Sequence, residues 1–459
     1  MKKIVLAFSG GLDTSFCVPY LIDQGFEVHT IFVNSGGTSA SEEKKISKRA
    51  YELGAKKHIN VSIETSLWKE IIKPLVWSGS LYQDKYPALC SDRYLIVSEA
   101  IKLCKKLNTK YISHGCTGMG NDQVRFDLSI QAFGNYKTIT PIREIQNKVT
   151  DVRGYEQEYL KNKGFKVSTL HTKYISHGCT GMGNDQVRFD LSIQAFGNYK
   201  TITPIREIQN KVTDVRGYEQ EYLKNKGFQV STLHSKYSIN ENLMGATVSG
   251  SEIDDWKEPS KESYILCSTP DKFPSKSKKL EIEFSKGEAK KINGKSMKGP
   301  DLLRMLNKIG GKYGIGRELF AGDTIIGIKG RFLFESPGIS ILQRSHRALE
   351  EAIFTDKQNN FKPLIGKKWI ELVYGGFYFD PLTKNLENFL EDIQKPVTGK
   401  VTVLLTAGKV EAVAVDSKKI LVSKDAVYAQ SASWGVEESA GFIKLLGKST
   451  STWTEINKK

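Results

Sequence analysis

Seven consecutive residues near the start of the chain, Ser9-Gly10-Gly11-Leu12-Asp13-Thr14-Ser15, combine the small and hydroxylated side chains that phosphate chemistry needs. Ser9, Thr14 and Ser15 supply hydroxyl donors, and the glycine pair lets backbone N–H groups approach an anion closely. A β-type run, Lys3 to Phe8, precedes the string; a helical stretch, Thr14 to Gln24, follows and is closed by Gly25. A strand feeding two glycines and then a helix N-terminus builds an anion site, because the free amides and the helix dipole both favour negative charge. Asp13 fits beside a phosphate only with a metal ion between them. The plain alternative is a strand–helix turn in which the glycines serve geometry alone.

A second glycine-rich loop lies about a hundred residues on. The strand Lys110 to Ser113 opens into His114-Gly115-Cys116-Thr117-Gly118-Met119-Gly120-Asn121-Asp122, followed by Gln123-Val124-Arg125. Thr117 and Asn121 offer neutral hydrogen bonds, and Asp122 and Arg125 offer opposite charges. A zwitterionic amino acid asks for that set: a carboxylate for its amine, and an Arg or N–H group for its carboxylate. A polar surface turn with an Asp–Arg pair is the alternative, and His114 alone reads as structural.

The elements that must position these loops alternate. Phe26 to Asn34 reads as a strand ending in Ser35-Gly36-Gly37, Ser39 with Glu42 as a capping box opening a helix that Gly54 ends, and Lys57 to Ile63 as a third strand. The alternation predicts an α/β, Rossmann-like open parallel sheet with helices on both faces and ligands at the carboxyl ends of the strands. A helix over Ser91–Leu107 leads into the second loop. Beyond residue 234 the texture becomes α+β: an alternating strand Leu280–Phe284, a turn plus strand over Gly322–Lys329, a helix over Ser345–Thr355, paired β runs at Lys400–Leu405 and Val410–Ala414, and an apolar C-terminal helix over Gly441–Leu446. The expected division is a nucleotide-binding domain, 1–234, and a second domain, 235–459.

The first of those domains contains an oddity. Residues 109–171 and 172–234 are tandem copies of 63 residues, differing only at Lys166 against Gln229. Solenoid repeats are shorter, more numerous and more diverged, so this is a duplication and not an architecture. The hybrid junction Leu170-His171-Thr172-Lys173-Tyr174 points to recombination at a shared leucine-x-x-lysine-tyrosine. Each second-loop residue therefore appears twice: Thr117 and Thr180, Asn121 and Asn184, Asp122 and Asp185, Arg125 and Arg188. The first copy keeps its native link to the preceding helix, so its loop is expected to dock, with one repeat's worth of chain looped out.

Composition bounds the rest. With 459 residues, 39% hydrophobic and 26% charged, the chain reads as an ordinary soluble globular protein. No apolar stretch is long enough to span a bilayer, and a cytoplasmic enzyme is expected. The six cysteines show no metal or disulfide spacing. The net charge of +16 permits nucleic-acid binding, but lysines interleaved with acids suit triphosphate substrates or solubility equally.

The first loop resembles the PP-loop of ATP pyrophosphatases, which cut ATP between its α and β phosphates and activate an oxygen as the adenylate. It is not a Walker loop: of the two Gly-Lys-Ser strings, Gly294-Lys295-Ser296 and Gly447-Lys448-Ser449, neither has the upstream glycine, whose positions hold Ala289 and Phe442. With one repeat copy omitted, the whole chain resembles the argininosuccinate synthase family. The resemblance rests on Ala7–Ser15, Tyr86–Ser91, Ser113–Phe126, Tyr237–Leu243, Gly314-Ile315-Gly316-Arg317 and Glu371–Tyr374.

It implies an ATP- and Mg²⁺-dependent ligation of citrulline to aspartate, through citrullyl-AMP, in arginine biosynthesis and the urea cycle. It implies ATP contacts at Ala7, Ser9, Gly10, Gly11, Leu12, Asp13, Thr14, Ser15, Val33 and Gly115. Citrulline would meet Tyr86, Ser91, Asn121, Arg125, Ser238 and Thr247; aspartate would meet Thr117, Asn121 and Asp122. Asp13, Asp122 and Arg125 stand at the reacting centre, with no protein metal site. The family also implies a homotetramer tied by C-terminal elements, and neither membrane nor nucleic-acid partners. Three positions depart from the family pattern: Met119 stands where many members carry lysine, Gly322 and Phe334 align with a glutamate and a tyrosine that touch citrulline elsewhere, and Asp323 is a candidate substitute for the lost glutamate. Two other readings are a tRNA-thiolating PP-loop enzyme and a duplication-impaired nucleotide-binding homologue.

Overall fold

The computed structural model describes residues 2–109, 174–177, 189–193, 200–209, 215–227, 237–325, 329–423 and 432–458. Strand β1 (Lys2–Ala7) feeds helix α1 (Leu12–Asp23), and β2 (Phe26–Asn34) feeds α2 (Ala40–Glu52) and then β3 (Lys57–Ser62). A helical run, 64–78, and α3 (Asp92–Lys106) complete this half as far as Thr109. The capping box read from Ser39 and Glu42 is present, and Gly54 ends the helix with φ +97°.

The parallel sheet continues not with the first copy but with the second. Strand β4 (Tyr174–His177) pairs in parallel with β1, Val5 opposite Ile175, and β5 (Lys200–Ile202) pairs with β4. The order is β3-β2-β1-β4-β5. The expectation that the first copy docks is corrected here: its strand, 110–113, lies outside the described residues, and the place beside β1 is taken by Tyr174–His177.

The local geometry permits this arrangement. Thr109, the last described residue before the excursion, is buried and donates its hydroxyl to Lys3 O at 2.8 Å, at the start of β1. Thr109 and Tyr174 thus both lie beside β1, the one bonded to Lys3 and the other next to Ile175, which faces Val5, and closure entropy grows only slowly with the length of chain between two such points. From β4 onward the connection to the second domain is the natural one. Helices α4 (Pro204–Gln209) and α5 (Val215–Asn225) cover α1, burying Ile205, Ile208 and Leu223 against Cys17, Val18 and Leu21.

The second half holds two antiparallel sheets. Hairpin β6 (Ser238–Asn242) and β7 (Gly245–Ser249) joins the later strands β11 (Arg317–Asp323) and β12 (Lys329–Glu335) in the order β11-β12-β7-β6. Between them in sequence come β8 (Lys278–Ser285), β9 (Glu288–Ile292), β10 (Lys295–Ser296) and helix α6 (Gly299–Lys312). After β12 run α7 (Pro337–Ile353), α8 (Asp356–Gly375) and α9 (Pro381–Ile393). The hairpin β13 (Gly399–Thr406) and β14 (Lys409–Asp416) closes the other sheet, β10-β9-β8-β13-β14. Helices α10 (Val436–Leu446) and α11 (Lys448–Asn457) bury no residue. The Gly322–Lys329 stretch is not one strand: Gly322 and Asp323 end β11, and β12 starts at Lys329.

Candidate active site

The first loop has the form its sequence dictates. After β1 the ladder extends one bond, Phe8 N donating to Ile31 O at 2.9 Å, and the chain then turns at Gly10 with φ +77°. A side chain at Gly10 would be strained by that dihedral and would press Ile46 at 3.0 Å. Hydroxyls brace the turn: Ser9 N donates to Thr14 Oγ1 at 3.2 Å, Gly11 N donates to Ser9 Oγ at 3.3 Å, and the two hydroxyls lie 3.1 Å apart. Gly11 occupies the N-cap of α1, and no side chain caps the helix. The first-turn amides, from Leu12 to Thr14, are thus left to an outside anion. Ala7 and Val33 lie at the carboxyl ends of β1 and β2, flanking this cradle.

The turn after β2 couples the cradle to the second domain. Gly36 has φ +102°, and a Cβ on Gly37 would lie 2.6 Å from Glu241 O, so only glycine permits this approach. Leu243 N donates to Ser35 O at 2.9 Å, which fixes the β6–β7 hairpin beside the parallel sheet.

That hairpin belongs to a sheet with two unlike faces. Cross-strand partners share a face. The pairs Ser238–Ser249, Asn240–Thr247, Thr247–Phe334, Phe320–Phe332 and Gly322–Gly330 therefore line one side. The other side packs Val248 and Leu333 into a small core with Ile253 and Tyr237. Against the first side sits buried Tyr86, its ring edge-on to Phe332 and Phe334 at 4.9 and 5.4 Å, its hydroxyl 3.5 Å from Thr247 Oγ1. Ser91 is buried at the start of α3; it makes no cap bond but donates to Ala88 O at 2.6 Å. Ser238 is exposed on the same face as Thr247. Tyr86, Ser238 and Thr247 are thereby gathered on one surface, and Asn242 Nδ2 donates to Leu89 O at 2.6 Å, which ties the segment just before Ser91 to β6.

The side chains of Leu12 and Asp13 and the whole of Gly115, Thr117, Asn121, Asp122 and Arg125 lie outside the described residues, as do the second-copy counterparts 178–188. Their flanks are described. His177 Nε2 lies 3.3 Å from Asp190 Oδ1, both side chains fully buried, and the His177 and Phe189 rings are 5.4 Å apart. Arg93 of α3 reaches across three elements: it donates to Asp92 Oδ1 at 2.9 Å and to Asn240 Oδ1 at 2.8 Å, and lies 6.0 Å over the Phe189 ring. No sequence signal marked Arg93, and Asn240 entered only within the Tyr237–Leu243 stretch, because their contact follows from proximity between segments distant in the chain.

Asp323 is already engaged. Lys329 Nζ donates to its Oδ1 at 2.6 Å and Gln83 Nε2 to its Oδ2 at 2.9 Å; these bonds hold its carboxyl below the usual aspartate range. Glu241, on the opposite face of β6, is pushed upward by burial and then by Glu42 and Glu335. Among the described residues no cluster of three or more His, Cys, Asp or Glu side chains could hold a metal, and no helix is long and apolar enough to cross a membrane.

Comparison with known proteins bears on the whole chain. The family model for the arginosuccinate synthase N-terminal HUP domain matches residues 3–166 and again 166–229, and the model for the C-terminal domain matches 237–453. The two N-terminal matches end at equivalent positions of the two copies. Argininosuccinate synthase of Xanthomonas axonopodis pv. citri is 44% identical over 457 residues, covering 100% of this chain and 96% of its own. That of Xylella fastidiosa is 43% identical, with 100% and 98% covered. The Methanocaldococcus jannaschii enzyme is 30% identical, with 97% of each chain covered. With an uncapped glycine turn at the head of a parallel sheet and full-length similarity on both sides of the duplication, the chain belongs to the argininosuccinate synthase family of PP-loop enzymes and is an ATP-dependent carbon–nitrogen ligase.

Proposed function

We propose that the chain joins L-citrulline to L-aspartate at the crevice between the Ser9–Ser15 cradle and the polar face of the β11-β12-β7-β6 sheet. The observation that carries this reading is the Ser35–Leu243 bond, which holds the hairpin bearing Ser238 and Thr247 beside the sheet that carries the anion cradle. The ureido oxygen of citrulline attacks the α-phosphorus of ATP, pyrophosphate leaves, and the aspartate amine then displaces AMP from the citrullyl-AMP intermediate.

The protein's part is positioning and charge neutralisation. The amides of Gly10 to Thr14 grip the departing pyrophosphate, and Asp13 stands where a phosphate-borne Mg²⁺ would be met. That ion, when bound, spreads the negative charge developing on the phosphates. Tyr86, Ser91, Ser238 and Thr247 hold citrulline. Aspartate is held by the second glycine-rich loop, supplied by the copy whose strand lies beside β1: Thr180, Asn184 and Asp185, with Arg188 toward citrulline.

Assembly into a homotetramer would cover α10 and α11, where Val436, Leu445 and Ile456 are more than three-quarters exposed. The test of the site is to change Asp122 and Asp185 separately to alanine and follow citrulline- and aspartate-dependent pyrophosphate release. Loss of about 100-fold or more in the Asp185 variant alone is expected; loss in the Asp122 variant alone would move the site to the first copy.

A further inference from the structure

Position 322 lies on the same sheet face as Phe320, Thr247 and Phe334, at the end farthest from Ser238, and it carries no side chain. The space is not empty. A Cβ built on Gly322 would fall 2.3 Å from Gln83 Oε1 and 2.2 Å from the Phe320 ring. The carboxamide of Gln83 thus stands where a side chain from residue 322 would begin to project.

Gln83 is held there at two points. Asp323 N donates to its Oε1 at 3.1 Å, and its Nε2 donates to Asp323 Oδ2 at 2.9 Å. The loop carrying it is bound to the same strand end: Tyr82 donates its hydroxyl to Asp323 O at 3.3 Å, and Lys85 lies 3.6 Å from Glu318. To deliver the amide, the loop puts two successive non-glycine residues, Gln83 and Asp84, at φ +50° and +57°. Such dihedrals cost energy that surrounding contacts must offset, and they cluster where a side chain has to be aimed. The loop ends at Tyr86, whose hydroxyl meets Thr247.

From this geometry we infer that Gln83 is a specificity-determining residue for the amino-acid substrate, its carboxamide presented from the Tyr82–Tyr86 loop in the place a side chain at 322 would take. A carboxamide has two N–H donors and two acceptor lone pairs, and the Asp323 clasp uses one of each. The remaining N–H and lone pair suit an α-amino-acid head, the lone pair accepting from the ammonium group and the N–H donating to the carboxylate. Asp323 acts through Gln83 and fixes which way the amide faces; its own carboxylate oxygens are taken by Gln83 and Lys329.

This inference rests on the placement of citrulline proposed above, and the test separates the two. Pyrophosphate release is measured against citrulline, aspartate and ATP for the wild type, Gln83→Ala and Gln83→Asn. Asn tolerates the left-handed dihedral but is one methylene too short to reach Asp323 N, so it keeps the loop and withdraws the amide. Both variants are expected to raise the citrulline KM about five- to tenfold, the loss of one to two hydrogen bonds, with kcat and the ATP KM within about twofold. An unchanged citrulline KM in both variants, or an equal loss for ATP and citrulline, overturns the role of Gln83 and leaves the placement of citrulline standing. Absence of any citrulline dependence in the wild type would remove the placement, and the inference with it.

Discussion

The cradle and the surface proposed for citrulline are built in opposite ways. Every residue of the cradle comes from one stretch of seven, and its geometry is set by one positive φ, two hydroxyls and a missing helix cap. The surface proposed for citrulline draws Tyr86, Thr247, Phe334 and Gln83 from different parts of the chain; Tyr86 meets Thr247 and Phe334, and Gln83 is placed by Asp323. Local backbone chemistry suffices for the first. The second exists only when two domains, a hairpin and a strained loop agree.

The largest effect that tests this contrast belongs to the cradle. Gly11 sits at φ −68°, and a Cβ there would meet only Ser9 Oγ, at an ordinary 3.4 Å. Gly11→Ala is therefore expected to leave Tm within about 1–2 °C while lowering kcat/KM for ATP by about 100-fold, because the methyl blocks the approach of phosphate. Gly10→Ala should do the reverse in part: the left-handed dihedral and Ile46 make it costly to the fold, by about 1–2 kcal/mol. Thermal melts and ATP titrations of the two variants separate the glycine that shapes the turn from the glycine that admits the ligand. A Gly11→Ala enzyme with normal ATP kinetics would break the comparison at its firmer end.

A smaller effect is expected on the assembled surface. Thr247→Val keeps the β-branched shape between Asn240 and Phe334 and removes only the hydroxyl that faces Tyr86. The citrulline KM should rise about three- to tenfold, as for one hydrogen bond, with the ATP KM unchanged. If ATP binding weakened equally, the two regions would not be separable and the contrast would fail.

The same contrast explains what could be read in advance. The strand-turn-helix at Lys3–Gln24 and the Ser39–Glu42 box were legible because glycine, capping and periodicity act within a few residues. Fold class and the α+β second half followed from such local signals. The partner strand of β1 was not legible. Two copies with the same strand, Tyr111–His114 and Tyr174–His177, offer β1 the same pairing, and sequence cannot rank them. The structure shows the second copy's strand in that place, Ile175 opposite Val5. Gln83 was illegible for a related reason. Its signal was an absence, Gly322, and what filled the gap came from 239 positions upstream in the chain.

The supports of the two regions differ as well, and pH is expected to tell them apart. The cradle rests on an apolar cluster around Cys17, Val18 and Leu21. The surface proposed for citrulline continues from β12 into α7, whose His346 and Glu350 are fully buried beside Lys362 of α8 and Gln394. His346 Nε2 lies 2.9 Å from Gln394 Oε1, its Nδ1 has no hydrogen-bond partner, and Gln394 Nε2 donates to Glu350 Oε1 at 2.9 Å. Burial pulls the His346 imidazole down to about 4, against 6.5 for an ordinary histidine, with Glu350 opposing the shift. The folded protein therefore binds fewer protons here than the unfolded chain between those values, so this group's contribution to stability falls as pH drops through 6.5 toward 4. In His346→Gln that dependence is absent, since glutamine does not titrate. Melts from pH 7 to 4.5 should show Tm falling more steeply in the wild type than in His346→Gln, by several degrees over the range. Parallel curves would mean that the neutral imidazole does not govern the acid response of the platform beneath the citrulline surface.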